Sequence, residues 1–347
     1  MNKKSVKKEI ILLISSFLIS IIVAEIFLSL TIPSPYWHDE RYGFARTAPK
    51  SEITEVNDKN NLTRNVSIQY FEHGFKRWGN LTSNKTKVLI VGDSFTEMRQ
   101  ASNGEEWFKV LEDKYEVELF VYGIGGWGSL QEYMLIEDYY DKVRPDVIIW
   151  QFYFNDFANN YYEFDKNEYP YNSFSYRPYL ENGKIVYRLP LPNSWFREHS
   201  KIAELVLINY DLLMRSFADK NKDVFYSRNY GDGFWKRNFS ESLLFRGHFN
   251  DTLAVTEEIF QMGRNKAGKT PMYLFSADSR LEDVERKIAQ SANMSYIQGV
   301  ALEIAKYPEE EVLAVDGHWN PKGNKIAGEY ISDYFEKNNV FRLKESK

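Results

Sequence analysis

The feature that most restricts this chain is a set of short, continuous apolar runs set between stretches of helical periodicity. Lys87–Gly92, Glu118–Val121, Val147–Phe152 and Met272–Phe275 are such runs. A run that is apolar at successive positions has no wet face, so each predicts a strand covered on both sides, as in a parallel sheet. Between the first two, Trp107, Val110 and Leu111 recur at helical spacing, and Met134, Leu135 and Ile136 mark a helix before the third. Parallel neighbours need crossovers, so this alternation predicts an α/β fold, a doubly wound parallel sheet.

Composition narrows what such a sheet could serve. The 347 residues leave room for one large domain with accessories, and 43% hydrophobic with 16% aromatic residues is enough apolar matter for a packed core. A formal charge of -5 leaves no concentrated basic footprint, which excludes nucleic acid as a partner. The absence of cysteine excludes disulfides, thiolate zinc sites and a cysteine nucleophile, and says nothing about compartment.

Accessory segments are legible at both ends. Residues 1–9 form a basic flank with Lys3, Lys4, Lys7 and Lys8, and the apolar run 10–32 that follows predicts a transmembrane anchor. Glu25 costs about 2.5–3.5 kcal/mol at the centre of a span, which the surrounding Ile, Leu, Phe and Val residues outweigh. The positive-inside rule then puts the basic flank in the cytoplasm and everything after Pro33 outside it; a cleaved signal peptide is the competing reading. Residues 33–85 read as an extracytoplasmic spacer and edge segment, with one short strand near Ser67–Phe75. Residues 86–338 read as the main α/β domain and 339–347 as a tail. Within the domain, an insertion at about 157–250 is crowded with aromatic residues, among them Tyr161, Tyr162, Tyr169, Tyr171, Tyr176, Tyr179, Trp195 and Trp235. It suits a satellite core, a cleft lining, or both.

Four blocks carry chemistry, each at the end of a predicted strand or the start of a helix. Gly92-Asp93-Ser94 follows the first strand, where open α/β sheets place their crevice; alone it also suits a turn with Asp93 capping the next segment. The glycine run Gly123–Gly128 follows the second strand and can aim backbone N–H groups at a developing oxyanion. Its spacing is not that of a dinucleotide loop. Asn155-Asp156 follows the third strand, where a side-chain amide can donate to the same oxyanion. Last, Asp316-Gly317-His318-Trp319-Asn320-Pro321 offers a base, an acid to orient it, and a helix start with Asn320 as N-cap and Pro321 in the first turn.

In this order the blocks resemble the SGNH (GDSL-like) hydrolase superfamily. The resemblance implies a three-layer flavodoxin-like sandwich, Ser94 as nucleophile, His318 as base and Asp316 as its orienting acid. It further implies an oxyanion hole made by the Ser94 N–H, the Gly126 N–H and the Asn155 amide. Three departures stand out: Tyr153 where the family carries glycine, no asparagine before the glycine run, and an acid two residues before His318 instead of three. That last wording resembles the subset concerned with polysaccharide O-acetylation, including relatives of alginate-acetylation proteins. It implies an esterase or O-acyltransferase acting on extracytoplasmic carbohydrate, with a membrane-bound acyl-donor protein as a partner; Trp127, Trp319 and the aromatic insertion suit a sugar-stacking, substrate-binding surface, and the two-step acyl transfer calls for no cofactor or metal. Two other readings remain open: a catalytically silent carbohydrate-binding scaffold, and a lipid-directed esterase.

Overall fold

The computed structural model describes residues 3–34, 39–168, 174–220 and 243–344; Tyr169, Tyr171 and Trp235 lie outside them. In chain order the elements begin with α1 (Lys3–Thr31), the hairpin β1 (Lys50–Asn57) and β2 (Thr63–Tyr70), β3 (Arg77–Trp78) and β4 (Thr86–Gly92). There follow α2 (Ser94–Glu97), α3 (Trp107–Lys114), β5 (Val117–Gly123), α4 (Ser129–Val143), β6 (Val147–Phe152), α5 (Asn155–Asn159) and α6 (Tyr162–Asp165). A second hairpin, β7 (Arg177–Glu181) with β8 (Lys184–Arg188), leads into α7 (Ser194–His199) and α8 (Lys201–Lys220). The chain closes with α9 (Leu243–Ala267), β9 (Met272–Ser276), α10 (Glu282–Ser291), β10 (Ser295–Tyr296), α11 (Val300–Ile304), α12 (Glu309–Val312) and α13 (Pro321–Lys337).

The main sheet runs β10-β9-β6-β4-β5-β3, parallel throughout except for β3, which pairs antiparallel with β5. Ranked by sequence, the five parallel strands lie in the order 2-1-3-4-5, the flavodoxin-like winding, with its switch point between β4 and β6. All four predicted strands form. Side chains alternate strictly across the sheet: Leu89, Phe120, Ile148 and Trp150 face α4 and α9, while Val88, Ile90, Leu119 and Ile149 face α3, α11 and α13. Each face is buried under helices, which is why the strand sequences show no polar side.

The segment expected to be a spacer is largely structured. β1 and β2 pair along their full length, and Arg77–Trp78 supplies the edge strand, a few residues later than the sequence suggested. The apolar residues Val312–Val315 before Asp316 form no sheet strand. Val312 ends α12, Leu313 makes only a bridge to Trp319, and Ala314 bridges to Asp58 in the β1–β2 turn. Helix α1 contains one stretch, Lys8–Thr31, long and apolar enough to cross a membrane.

Candidate active site

The nucleophile block is a turn between β4 and the single-turn helix α2. Asp93 caps α2, its Oδ1 accepting the Phe95 N–H at 2.9 Å. The turn lies directly on the end of β5: a Cβ on Gly123 would come 2.5 Å from the Glu97 nitrogen and 2.8 Å from the Asp93 oxygen, so only glycine permits this approach. Thr96 and the Asp93 N–H both donate to Gln151 Oε1 on β6, at 3.0 and 3.1 Å, which ties the turn across the switch point.

This architecture leaves the Ser94 hydroxyl 2.8 Å from His318 Nε2. The two residues are 224 positions apart and meet because β4 and the loop before α13 end on the same edge of the sheet. The His318 ring packs on Phe95, centroids 4.8 Å apart. Asn320 caps α13 by accepting the Gly323 N–H, with Pro321 in the first turn, as the sequence predicts. Asp316 Oδ1 stands 3.2 Å from His318 Nδ1 and accepts the His318 backbone N–H. The Nδ1 contact is close but lies off the line of a good hydrogen bond. Partial burial works to raise the Asp316 pKa, but the close His318 ring, its backbone N–H and a bond from Gln100 hold it down at about 2.

The glycine run forms the wall facing Ser94. Gly125 donates its N–H to Glu97 Oε2 at 2.7 Å, and Gly126 turns the chain with φ +82, a conformation that suits glycine. Among the described residues, neither the Ser94 N–H nor the Gly126 N–H is taken by a protein acceptor. Asn155 begins α5, immediately beyond β6. Its amide nitrogen donates to Asn159 Oδ1 at 2.8 Å, while its own carbonyl oxygen is buried without a partner.

Several residues that sequence reasoning did not single out hold this arrangement. Glu97 is buried and accepts from Arg46 Nε at 2.9 Å and Tyr70 OH at 2.7 Å, besides Gly125. Gln100 donates to Asp316 Oδ2 at 2.6 Å. Arg177, from the insertion, donates to the Gly126 carbonyl at 2.7 Å and pairs with buried Asp165 at 3.0 Å. The β1–β2 turn reaches the histidine loop through Val315 N–H to Asn57 O, 2.8 Å. Beneath the nucleophile, burial pushes Asp93 up to about 6, and burial followed by repulsion, from Asp93 on Glu132 and from Glu132 and Asp93 on Asp156, pushes the latter two well above the carboxylate range.

One expectation is corrected. Trp127 and Trp319 are 0% and 2% exposed, so neither can stack on a substrate. Trp127 donates its indole N–H to Phe44 O at 2.9 Å and packs on Tyr42 and Tyr122; Trp319 packs edge-on against Phe95 in the core. They support the site's walls from behind.

No family model matches the chain, and no curated protein matches it. Similar solved structures include the crystal structure of TesA, with TM-score 0.41 and 9% identity, covering 73% of this chain and 99% of that one. A lipase/acylhydrolase from Enterococcus faecalis aligns with TM-score 0.39 and 12% identity over 76% of this chain and 99% of its own. A family 3 carbohydrate esterase from Clostridium thermocellum aligns with TM-score 0.38 and 11% identity, over 73% and 96% respectively. Likeness this distant bears on neither activity nor substrate.

Proposed function

We propose that this chain is a membrane-anchored serine esterase or O-acyltransferase that works through an acyl-Ser94 intermediate. The observation that carries the reading is the 2.8 Å contact between Ser94 Oγ and His318 Nε2, at the switch-point edge of the sheet. His318 Nε2 takes the hydroxyl proton as Ser94 Oγ bonds to the ester carbonyl carbon. The resulting oxyanion has two candidate backbone donors, the Ser94 and Gly126 N–H groups. A half-turn of the Asn155 amide, with the Asn159 amide turned so that its NH2 donates in return, would free the Asn155 NH2 as a third. Collapse breaks the bond to the leaving alkoxide, which takes the proton back from His318. Water, or a sugar hydroxyl, then repeats the sequence on the acyl-enzyme. Asp316, ionised at any pH above about 2, stabilises the imidazolium in both halves.

An extracytoplasmic, O-acetylated carbohydrate as substrate rests on the resemblance of the Asp316–Asn320 wording alone, as does a membrane-bound acyl-donor partner. A silent scaffold is disfavoured, because a recognition surface has no use for a serine and a histidine held at hydrogen-bonding distance. The test is hydrolysis of a chromogenic acetyl ester by the full chain in detergent, beside Ser94→Ala and His318→Ala. Each variant should lose roughly 10^4-fold in kcat. Equal rates in all three folded proteins would sink the catalytic reading.

A further inference from the structure

Helix α8 buries charge and exposes apolar surface, although Ile208 also packs inward on Leu189 and Leu191 and Asn209, Ser216 and Lys220 are exposed among the outward residues. The side turned toward the protein carries Lys201, Glu204 and Asp211, all buried, whereas Val206, Tyr210, Leu212, Leu213 and Phe217 point outward and are each more than half exposed. The inward charges are consumed locally: Arg197 of α7 grips Asp211 through two bonds of 2.6 and 3.0 Å, and Lys201 pairs with Glu204 and donates to Pro33 O at 2.9 Å. Trp195 and Phe196 on α7 are exposed as well. A helix in water turns its charges out; one that buries them and exposes a band of large apolar side chains is matched to an apolar surrounding.

The identity of that surrounding follows from what α8 touches. Its N-terminus is capped from α1: Glu25 accepts from Ser200 Oγ at 3.0 Å, from Ile202 N–H at 3.1 Å, and from the Lys201 N–H. Glu25 therefore has a structural role where the sequence showed only a cost. It supplies the acceptor that the unpaired N–H groups of a helix start need away from water. It also lies about 10 Å along α1 from the helix's C-terminal end, at 1.5 Å per residue. Between the helices runs an open groove of about 710 Å³, lined by Ile21, Ile22, Ile26, Phe196, Val206 and Leu207. The outward face of α8 is thus continuous with the apolar surface of α1, no part of which is buried in the protein.

We propose that α7 and α8 form a second membrane-embedded element, seated in the same bilayer leaflet as the C-terminal end of α1, with lipid acyl chains against the outward face of α8. The proposal rests on α1 spanning the membrane. The chain's lack of cysteine makes the test direct. Single cysteines are introduced as Leu213→Cys, Phe217→Cys, Leu18→Cys within the span and Lys325→Cys on the exposed surface of α13, in the full chain reconstituted into phosphatidylcholine vesicles. Each is labelled with a small fluorophore and quenched either by brominated acyl chains or by iodide in the water. Labels at 213 and 217 should behave like that at 18, with lipid quenching about threefold or more above that at 325 and iodide quenching correspondingly weaker. Iodide quenching at 213 and 217 equal to that at 325, with position 18 quenched by lipid, would overturn the proposal and leave the span standing. Protection from both quenchers would overturn it in favour of a protein partner or second copy on that face. Iodide access at position 18 too would remove the span reading and this one together.

Discussion

The two halves of the candidate site are built to different standards. The Ser94 half is enclosed: Asp93, Thr96 and Glu97 around the nucleophile are all buried, and the turn is pressed onto β5 and stitched to β6. In the His318 half, the Asp316 side chain is 52% exposed, and its support comes from single hydrogen bonds such as that of Gln100. Packing fixes the first half many times over, whereas the second is fixed by contacts that can be removed one at a time. Damage to the first should therefore be steep and appear in folding as well as chemistry, and damage to the second should be graded.

The steepest expected effect is the loss of roughly 10^4-fold in kcat for Ser94→Ala noted above. Behind the enclosed half, Trp127→Ala should cost ~3–5 kcal/mol of stability by emptying a packed core site, read as a lowered denaturation midpoint. A purely substrate-stacking tryptophan would instead raise KM and leave the midpoint alone. On the open half, Asp316→Asn should lower kcat by only about 10–100-fold, less than the ~10^4 expected of a buried, aligned acid. A loss as large as that of Ser94→Ala would erase the contrast between the halves. Gln100→Leu should be milder still, about tenfold in kcat/KM, because it removes one hydrogen bond to a charged group that keeps its histidine.

The halves also differ in the sign of their response to pH. Asp93 binds its proton more tightly folded, at about 6, than unfolded, so its contribution favours the native state at low pH and falls as pH rises from about 4 through 6. Asp316 is held at about 2, so its contribution is present above the unfolded value near 4 and is lost as pH falls through 2. Asp93→Asn should flatten the decline in stability between pH 4 and 6 by at most about 1.4 kcal/mol per pH unit, measured by denaturant titration at several pH values. An unchanged slope would place the titrating proton on Glu132 or Asp156.

What could be read from sequence follows from how local each signal was. The four main strands were legible because burial on both faces makes every position apolar, and the order of the site blocks was legible because each follows a strand or opens a helix. β3 and β10 have two residues each, too short to carry a period. Of the β1–β2 hairpin only part of β2 was read, at Ser67–Tyr70, although Val66, Ile68 and Tyr70 alternate with polar neighbours in the pattern of a longer strand with one buried face; β1 was missed. Glu97, Gln100 and Arg46 carried none, since their partners lie far off in sequence. Trp127 and Trp319 misled because an aromatic residue beside a motif suits a wall or a platform equally well, and only packing decides which.

The route from α1 to the sheet has a mechanical consequence. Tyr42 and Phe44 are already in the core, roughly ten residues after the apolar run ends at Ile32. Fully extended, that leash spans at most ~35 Å. On the proposed reading of α1 as a membrane span, an esterase held this close would meet mainly esters at the lipid surface, where attached chains are concentrated and freely diffusing esters are rare. Its turnover would then depend on how densely acceptors crowd that surface, and assays in bulk solution would understate it.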